Sequence, residues 1–84
     1  MPRFFFHTAN GSRARDTEGI ELPHPGAARK EAIRYAGAVL SNDPDVLWDG
    51  RDFRVEVTDD ANLLLFTIIM LAVDAPAAGR HGRV

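Results

Sequence analysis

Five side chains in the first third of the chain are of the types that bind metal ions or transfer protons. They are His7, Asp16, Glu18, Glu21 and His24. Imidazole and carboxylate groups serve as zinc or calcium ligands and as general acids and bases. Their spacing matches neither a His-x-x-x-His pair nor an Asp-x-Asp-x-Asp-Gly calcium loop, and no serine stands next to a plausible base. An enzyme or metal site at this acidic hairpin is therefore the weakest of three functional interpretations.

The simpler interpretation of these residues is a solvated hairpin. Gly19 would permit a turn, and an acidic side chain would accept hydrogen bonds from backbone amides. His7, at the wet end of a strand, would be a surface histidine. We therefore predict no catalytic, cofactor-binding or metal-binding residue and no cofactor, so that the protein is not an enzyme.

A second group of side chains could bind nucleic acid. The group consists of Arg13, Arg15, Arg29, Lys30 and Arg34, with Phe5 as a platform on which a base could stack. However, the helix cations and Phe5 should lie on opposite layers, and a net charge of -2 gives no overall attraction to phosphates. A solvated helix face is the preferred interpretation, and nucleic-acid binding is kept as the alternative.

Length and composition bound the class of protein. With 84 residues, 45% hydrophobic and 26% charged, the chain is expected to form one globular domain of modest stability. It contains no cysteine, which excludes disulfides and thiolate chemistry. The N-terminal sequence MPRFFFHTANGS lacks the apolar core of a signal peptide, so we expect a cytoplasmic protein.

The elements that must position these residues are organised around the apolar stretch at 63–73, LLLFTIIMLAV. It is uncharged and too short to cross a bilayer, and its β-branched content favours a strand that is apolar on both faces. Thr67 marks the wetter side. We therefore assign Leu64, Phe66, Ile68 and Met70 to the face covered by the helix, and Leu63, Leu65, Ile69 and Leu71 to the opposite face.

The rest of the chain reads as three further strands and one helix. Alternation predicts strands at 3–8, 19–22 and 52–58, and an Asn-Gly turn follows the first. A helix should run from Pro25 or Gly26 to about Asn42, with an apolar face that includes Ala28 and Ala32. Trp48, in the connection at 43–50, is expected to plug the core edge. Residues 1–73 then form the domain, and 74–84 a disordered tail.

The predicted fold is an α+β two-layer sandwich of order β-β-α-β-β. One helix packs on one face of a four-stranded, mainly antiparallel sheet. The first and last strands are apolar on both sides, so we expect them to be central. This gives the spatial order 2-1-4-3.

Several segments resemble a known family. They are MPRFFFH, NG followed by DTEGIEL, AARKEAIRYAGAVL, and FRVEVTDD before a final apolar strand. Together, over residues 1–70, they are similar to small, mostly rhizobial and other proteobacterial proteins classed as a domain of unknown function. The resemblance implies a short α+β domain without an assigned activity. Its pattern falls on residues that include His7, Asp16, Gly19, Thr58 and Asp59, and this chain departs from it at His24, Asn62, Leu63 and Ile69.

The function favoured by the sequence is a non-enzymatic interaction domain that self-associates through its sheet, a small regulatory or adaptor protein. One helix can cover only one face, so apolar side chains on the other face would be exposed to water in a monomer, and such patches mark interfaces. The predicted homodimer interface consists of Phe5, Leu63, Leu65, Ile69 and Leu71, with Arg54 and Glu56 as its polar rim. An additional protein partner is compatible with this surface, whereas membrane association is not expected.

Overall fold

The computed structural model describes residues 1–10, 13–48 and 52–80. The elements in chain order are β1 (Arg3–Ala9), β2 (Arg13–Ala14), β3 (Ile20–Glu21), α1 (Pro25–Asn42), β4 (Phe53–Asp59), β5 (Leu64–Met70) and a 3-10 helix (Pro76–Arg80). Part of the predicted Asn-Gly turn, at 11–12, and the end of the tail, at 81–84, lie outside the described residues. Among the described residues, no helix combines the length and the apolar character needed to cross a bilayer.

The sheet is antiparallel, and its order is β2-β1-β4-β5. The short strands β2 and β3 pair with opposite ends of the same edge of β1, through Thr8 with Ala14 and Arg3 with Glu21. Helix α1 packs on one face of this sheet and leaves the other face open. The predicted α+β fold, with one helix on an antiparallel sheet, is confirmed.

The predicted strand order is wrong, because β4 is central and β5 lies at the edge. Phe53, Val55 and Val57 of β4 are fully buried against the helix layer. The alternate residues of β4 face the open side, where Glu56 forms an ion pair and Thr58 a hydrogen bond with neighbouring strands. A strand with one polar face is therefore well suited to the centre of a sheet that only one helix covers. The sequence of β5 is apolar on both faces, but this did not make β5 a central strand.

The helix was predicted correctly at both ends, and its close approach to the sheet follows from its small residues. Ala28, Ala32 and Ala36 are buried, and they meet Phe4 and Phe6 in the core. His24 replaces the expected acidic residue at the helix start, and its Nδ1 accepts the Ala27 N–H at 3.1 Å. This cap satisfies one of the backbone donors that are free at a helix N-terminus.

The connection after α1 packs differently from the prediction. Val46 is buried in the helix-side core and Leu47 packs against it, whereas Trp48 is 50% exposed. Trp48 is therefore not the plug of the core edge. The smaller aliphatic side chains occupy the space beside the small-residue helix instead.

A β-bulge changes which face part of β5 presents. Phe66, Ile68 and Met70 pair with the three buried residues of β4 and lie on the helix side, as predicted. The register then shifts, so that Leu64 is opposite Thr58, a residue of the open face. Leu64 is therefore on the open side rather than the helix side. Leu63, which lies opposite Asp59, is turned by the same shift from the predicted open side to the helix side. One extra residue in the strand moves every side chain before it to the other face.

Candidate functional site

Five of the exposed large apolar side chains of the described chain lie in β5 or directly next to it. We call Leu63, Leu64, Leu65, Ile69 and Leu71 the β5 apolar surface. Their exposed fractions are 63%, 58%, 41%, 52% and 62%. In the described part of the chain, β5 pairs with β4 alone. The surface thus combines apolar side chains with the open backbone edge of a strand.

The other predicted interface residues lie further from this edge. Phe5 is on β1, with β4 between it and β5, and its ring lies over Gly19. The predicted rim residues have partners within the chain: Arg54 Nε lies 2.9 Å from Asp52, and Glu56 accepts a hydrogen bond from Arg13 at 2.8 Å. The structure therefore places the predicted Leu65 and Ile69 in β5 and the predicted Leu63 and Leu71 next to its two ends. It adds Leu64 and separates Phe5 from them.

The second feature of the open face is a buried polar cluster that joins β1, β4 and the loop before β3. His7 is only 6% exposed and Thr58 only 8%, so the prediction of a surface histidine is wrong. The Nδ1 of His7 accepts the backbone N–H of Asp16 at 3.0 Å. Its Nε2 lies 3.0 Å from Thr58 Oγ1. The loop folds over the ring, and burial follows from this contact.

The hydrogen bonds of His7 decide the tautomer of its neutral ring and therefore its chemistry. Because a backbone N–H donates to Nδ1, the neutral ring carries its proton on Nε2 and donates it to the Thr58 hydroxyl. A general base would have to accept a proton from that hydroxyl through an unprotonated Nε2. The arrangement therefore holds strand β4 against β1 and does not activate Thr58 as a nucleophile.

Asp16 completes the cluster and organises the loop. Its carboxylate accepts backbone N–H groups of Phe6 at 3.1 Å, Glu18 at 3.0 Å and Gly19 at 3.1 Å. Burial acts to raise the pKa of Asp16, but these three hydrogen bonds and, to a smaller extent, the electrostatic interaction with His7 outweigh it and hold the pKa below its ordinary value. The prediction that an acidic residue caps backbone amides in this hairpin is confirmed.

Gly19 is required in this loop for two reasons. Its φ is +72°, in the left-handed region that other residues avoid. A Cβ at this position would lie 2.9 Å from both Phe4 O and Phe5 Cε2. The loop can therefore approach the edge of β1 closely enough for Asp16 to reach the Phe6 amide.

The remaining acidic and histidine candidates serve structural contacts. Glu21 pairs with Arg3 at 2.9 Å, and His24 caps the helix. Within residues 1–10, 13–48 and 52–80, no three carboxylate or imidazole side chains converge as metal ligands do. The described acidic and histidine side chains of the loop before β3 and of the helix start hold the backbone in place and do not form an open coordination site.

Of the basic candidates for nucleic-acid binding, Arg15 lines a surface cavity together with Phe5, whereas the helix cations lie on the other layer. Arg13 is paired with Glu56, and Arg34 with Glu31 at 3.2 Å. Arg15 donates to Asn62 Oδ1 at 3.0 Å, across the open face. These contacts spread the cations over both layers of the fold.

Sequence reasoning missed the link between Asp16, His7 and Thr58. No spacing rule joins them, since His7 and Thr58 are 51 residues apart. The one signal present was the family resemblance, whose pattern falls on all three. The structure shows that these residues, with Gly19, belong to one contiguous network.

Fold and site together define a class of protein. It is a small α+β domain whose antiparallel sheet has one open face, with a hydrogen-bonded polar cluster on that face and an apolar edge strand. The chain belongs to the family described as Domain of unknown function (DUF6894), whose model matches residues 3–72. The match spans every strand and the helix. Comparison with curated proteins and with solved structures gave no match.

Proposed function

We propose that this chain is a non-enzymatic interaction domain that binds a second copy of itself through the β5 apolar surface. The observation that carries the proposal is the run of five exposed leucine and isoleucine side chains in the edge strand β5 and directly next to it. Exposed apolar clusters of this kind mark interfaces in soluble proteins. A regulatory or adaptor role would then depend on a further protein that the dimer binds.

Charge favours a second copy as the occupant of this surface. Residues 63–73 carry no charge, so a strand that meets its own copy brings no like charges together. A two-fold dimer places the same patch on both partners, and an apolar patch complements itself. A partner selected by charge would instead need acidic or basic residues along β5.

The free energy available from covering this surface completely is comparable to the cost of association. Complete burial of a leucine or isoleucine contributes about 1.5–3 kcal/mol. Because the five residues are about half exposed, covering them would contribute on the order of 4–8 kcal/mol from each protomer. The two protomers together thus reach the range of the association penalty, about 4–15 kcal/mol.

The connection after α1 supports an external partner rather than an internal cover. Val46 and Leu47 pack into the helix-side core, which draws this connection toward the layer opposite the open face.

The non-enzymatic part of the proposal is supported by the polar cluster. The only described hydroxyl–imidazole pair with buried partners, Thr58 and His7, has the proton on the wrong nitrogen for base catalysis. The family resemblance and the cysteine-free composition support a bacterial source and a cytoplasmic location as parts of the same proposal.

The test of self-association is the molar mass in solution, measured by size-exclusion chromatography with light scattering at micromolar concentration. Wild-type protein should have about twice the 9.2 kDa chain mass. Ile69→Asp should give the monomer mass, because it places a charge in the interface. Ile33→Asp is a matched control, since Ile33 is an equally exposed isoleucine (61%) on the helix.

The control variant should remain a dimer. A wild-type monomer across the concentration range, or equal effects of the two substitutions, would refute the proposal. Circular dichroism of each variant establishes that the fold is retained. For the alternative function, a nucleic-acid complex would show affinity that falls steeply with salt, and we expect no such complex.

A further inference from the structure

The direction of the backbone groups on β5 follows from contacts elsewhere in the sheet. The Phe6 N–H donates to Asp16, which lies outside the β1–β4 pair, so the backbone groups of Phe6 point away from β4. Backbone groups alternate in direction along an antiparallel strand. Phe5 and His7 therefore point toward β4, where their register partners are Thr58 and Glu56.

The same alternation continues across β4. Since Thr58 and Glu56 point toward β1, Val57 and Val55 point toward β5. The hydrogen bond from Asp59 N–H to Leu63 O, at 3.1 Å, agrees with this assignment. The partners of these β4 residues are Phe66 and Ile68.

Two residues of β5 consequently present free edge groups. Phe66, Ile68 and Met70 direct their backbone groups at β4. The intervening residues, Thr67 and Ile69, direct their N–H and C=O groups outward, beyond the described sheet. These are the groups with which another strand would pair.

Apart from the bulge at its start, this edge lacks, among the described residues, the features that normally prevent strand addition. Natural edge strands carry lysines, prolines or inward charges, or are covered by other segments. The opposite edge of the sheet is covered in this way, because β2, β3 and the Asp16 carboxylate occupy the outer groups of β1. Strand β5 has neither charge nor proline, and its exposed side chains are apolar.

We infer that two copies join by antiparallel pairing of β5 with β5 around a two-fold axis at Ile68; this inference rests on the proposed self-association. In this register Ile68 lies opposite Ile68 of the partner subunit. Thr67 lies opposite the partner subunit's Ile69, and the reverse pair is equivalent by symmetry. The outward groups of Thr67 and Ile69 then form four backbone hydrogen bonds between the two copies.

The bulge selects this register among the symmetric ones. The regular part of β5 runs from Phe66 to Met70, and Ile68 is its midpoint. A two-fold axis at Thr67 would force the distorted segment at Leu64 and Leu65 into the ladder. An axis at Ile69 would run past the end of the strand.

The dimer predicted by this pairing has one continuous sheet. A two-fold axis between antiparallel neighbours stands perpendicular to the sheet, so both helices lie on the same side. On the open side, Leu64, Ile69 and Leu71 of both copies form a single apolar stripe that remains in contact with solvent. Backbone hydrogen bonds and side-chain contacts across the β5–β5 seam therefore hold this dimer, and not complete coverage of the stripe. Face-to-face stacking of two open sheets, by contrast, would leave the backbone groups of Thr67 and Ile69 without strand partners.

The experiment that separates edge pairing from face stacking removes one outward N–H. Proline is tolerated on an edge strand where its missing N–H faces solvent. Thr67→Pro should therefore fold and give the monomer mass, whereas Thr67→Ala, which keeps the N–H, should remain a dimer. If both variants are dimers, edge pairing is overturned while self-association stands. If wild type is a monomer, the proposed function fails as well.

A second measurement decides the register, and it does not depend on the proline variant. The chain contains no cysteine, so single cysteines report one contact each. Residues opposite each other in a non-hydrogen-bonded pair have Cα atoms about 4.5 Å apart, within the range of a disulfide. Ile68→Cys should therefore form a disulfide-linked dimer under mild oxidation. In Thr67→Cys the two cysteines of the dimer would be offset by about two residues, roughly 7 Å along the strands, so this variant should not form a disulfide. Efficient cross-linking of Thr67→Cys with none at Ile68→Cys would overturn the register.

Discussion

The Nε2 of His7 and the Oγ1 of Thr58 lie 3.0 Å apart, and this contact joins the two central strands of the sheet. Both side chains are buried although they belong to the face that the helix does not cover. The Asp16 amide fixes the ring from the other side. A loop of the β1 edge is thereby tied, through one imidazole, to the strand next to β5.

Thr58→Val should test the contribution of this contact. The substitution keeps the side-chain shape but leaves the buried Nε2–H of His7 without its acceptor, at a cost of about 1–3 kcal/mol in the free energy of unfolding. Thr17→Val, in the exposed part of the loop, is the control and should stay within about 0.5 kcal/mol. Urea midpoints should be compared at one protein concentration, because dimerisation makes stability concentration-dependent. Equal shifts for the two variants would show that the hydrogen bond contributes nothing.

Asp16 should make stability depend on acidic pH. Its folded-state pKa lies below the unfolded value of about 3.9, so the folded state binds fewer protons in that window. The stabilisation is complete above the unfolded pKa and is lost as pH falls through the folded pKa. Asp16→Asn should lower the unfolding free energy by about 1–3 kcal/mol at neutral pH. An asparagine amide has one acceptor oxygen where the carboxylate has two, so it cannot accept all three backbone N–H groups.

The measurement for Asp16 is the difference in unfolding free energy between wild type and Asp16→Asn as a function of pH. The difference should be constant near neutrality and should shrink below about pH 4. Asp60→Asn, on an exposed turn carboxylate, serves as the control. A difference between wild type and Asp16→Asn that stays constant down to the lowest pH would refute the linkage.

Local patterns in the sequence were sufficient for the class of fold and for most of its elements. The bounds of α1 followed from Pro25 and from the Asp43-Pro44 stop, and the burial of Phe53, Val55 and Val57 followed from strict alternation. These features depend on neighbours within a few residues. They could therefore be predicted without knowing what the rest of the chain does.

Strand order and the polar cluster could not be predicted, because both depend on distant partners. The central place of β4 rests on Arg13 pairing with Glu56 and on His7 bonding to Thr58. Neither pair has a local signature. The position of Leu64 depended on one extra residue in β5, which no periodicity rule locates. The exposure of Leu65, Ile69 and Leu71 was nevertheless predicted, because it needs only that one helix cannot cover both faces, but it was expected on a central strand and not at an edge.

Ala32→Leu should measure how closely the helix approaches the sheet. Ala32 is completely buried against the core, so three added carbon atoms should overpack the interface and cost about 1–3 kcal/mol. Ala38→Leu is a matched control on the same helix, since Ala38 is exposed and the intrinsic helix propensities change equally. Denaturant midpoints should fall for the first variant and barely move for the second. Identical midpoints would mean that the helix has room to shift.

Asn62 should be replaceable by glycine but not by alanine. It lies in the turn between β4 and β5 with φ of +64°, the one described non-glycine residue in the left-handed region. That region costs an ordinary L-residue on the order of 1–2 kcal/mol, asparagine less, and glycine almost nothing. We therefore expect Asn62→Ala to lower the unfolding free energy by about 1 kcal/mol and Asn62→Gly to leave it within about 0.5 kcal/mol of wild type.

Arg15→Ala is the control for this prediction, because it removes only the Arg15–Asn62 hydrogen bond, which is exposed and should contribute little. Thermal unfolding at one protein concentration gives the order, and an alanine variant as stable as the glycine variant would show that the turn carries no backbone strain. Because this turn sets the register in which β5 leaves β4, Asn62→Ala should also weaken the dimer, which a lower average mass by light scattering at the same concentration would reveal.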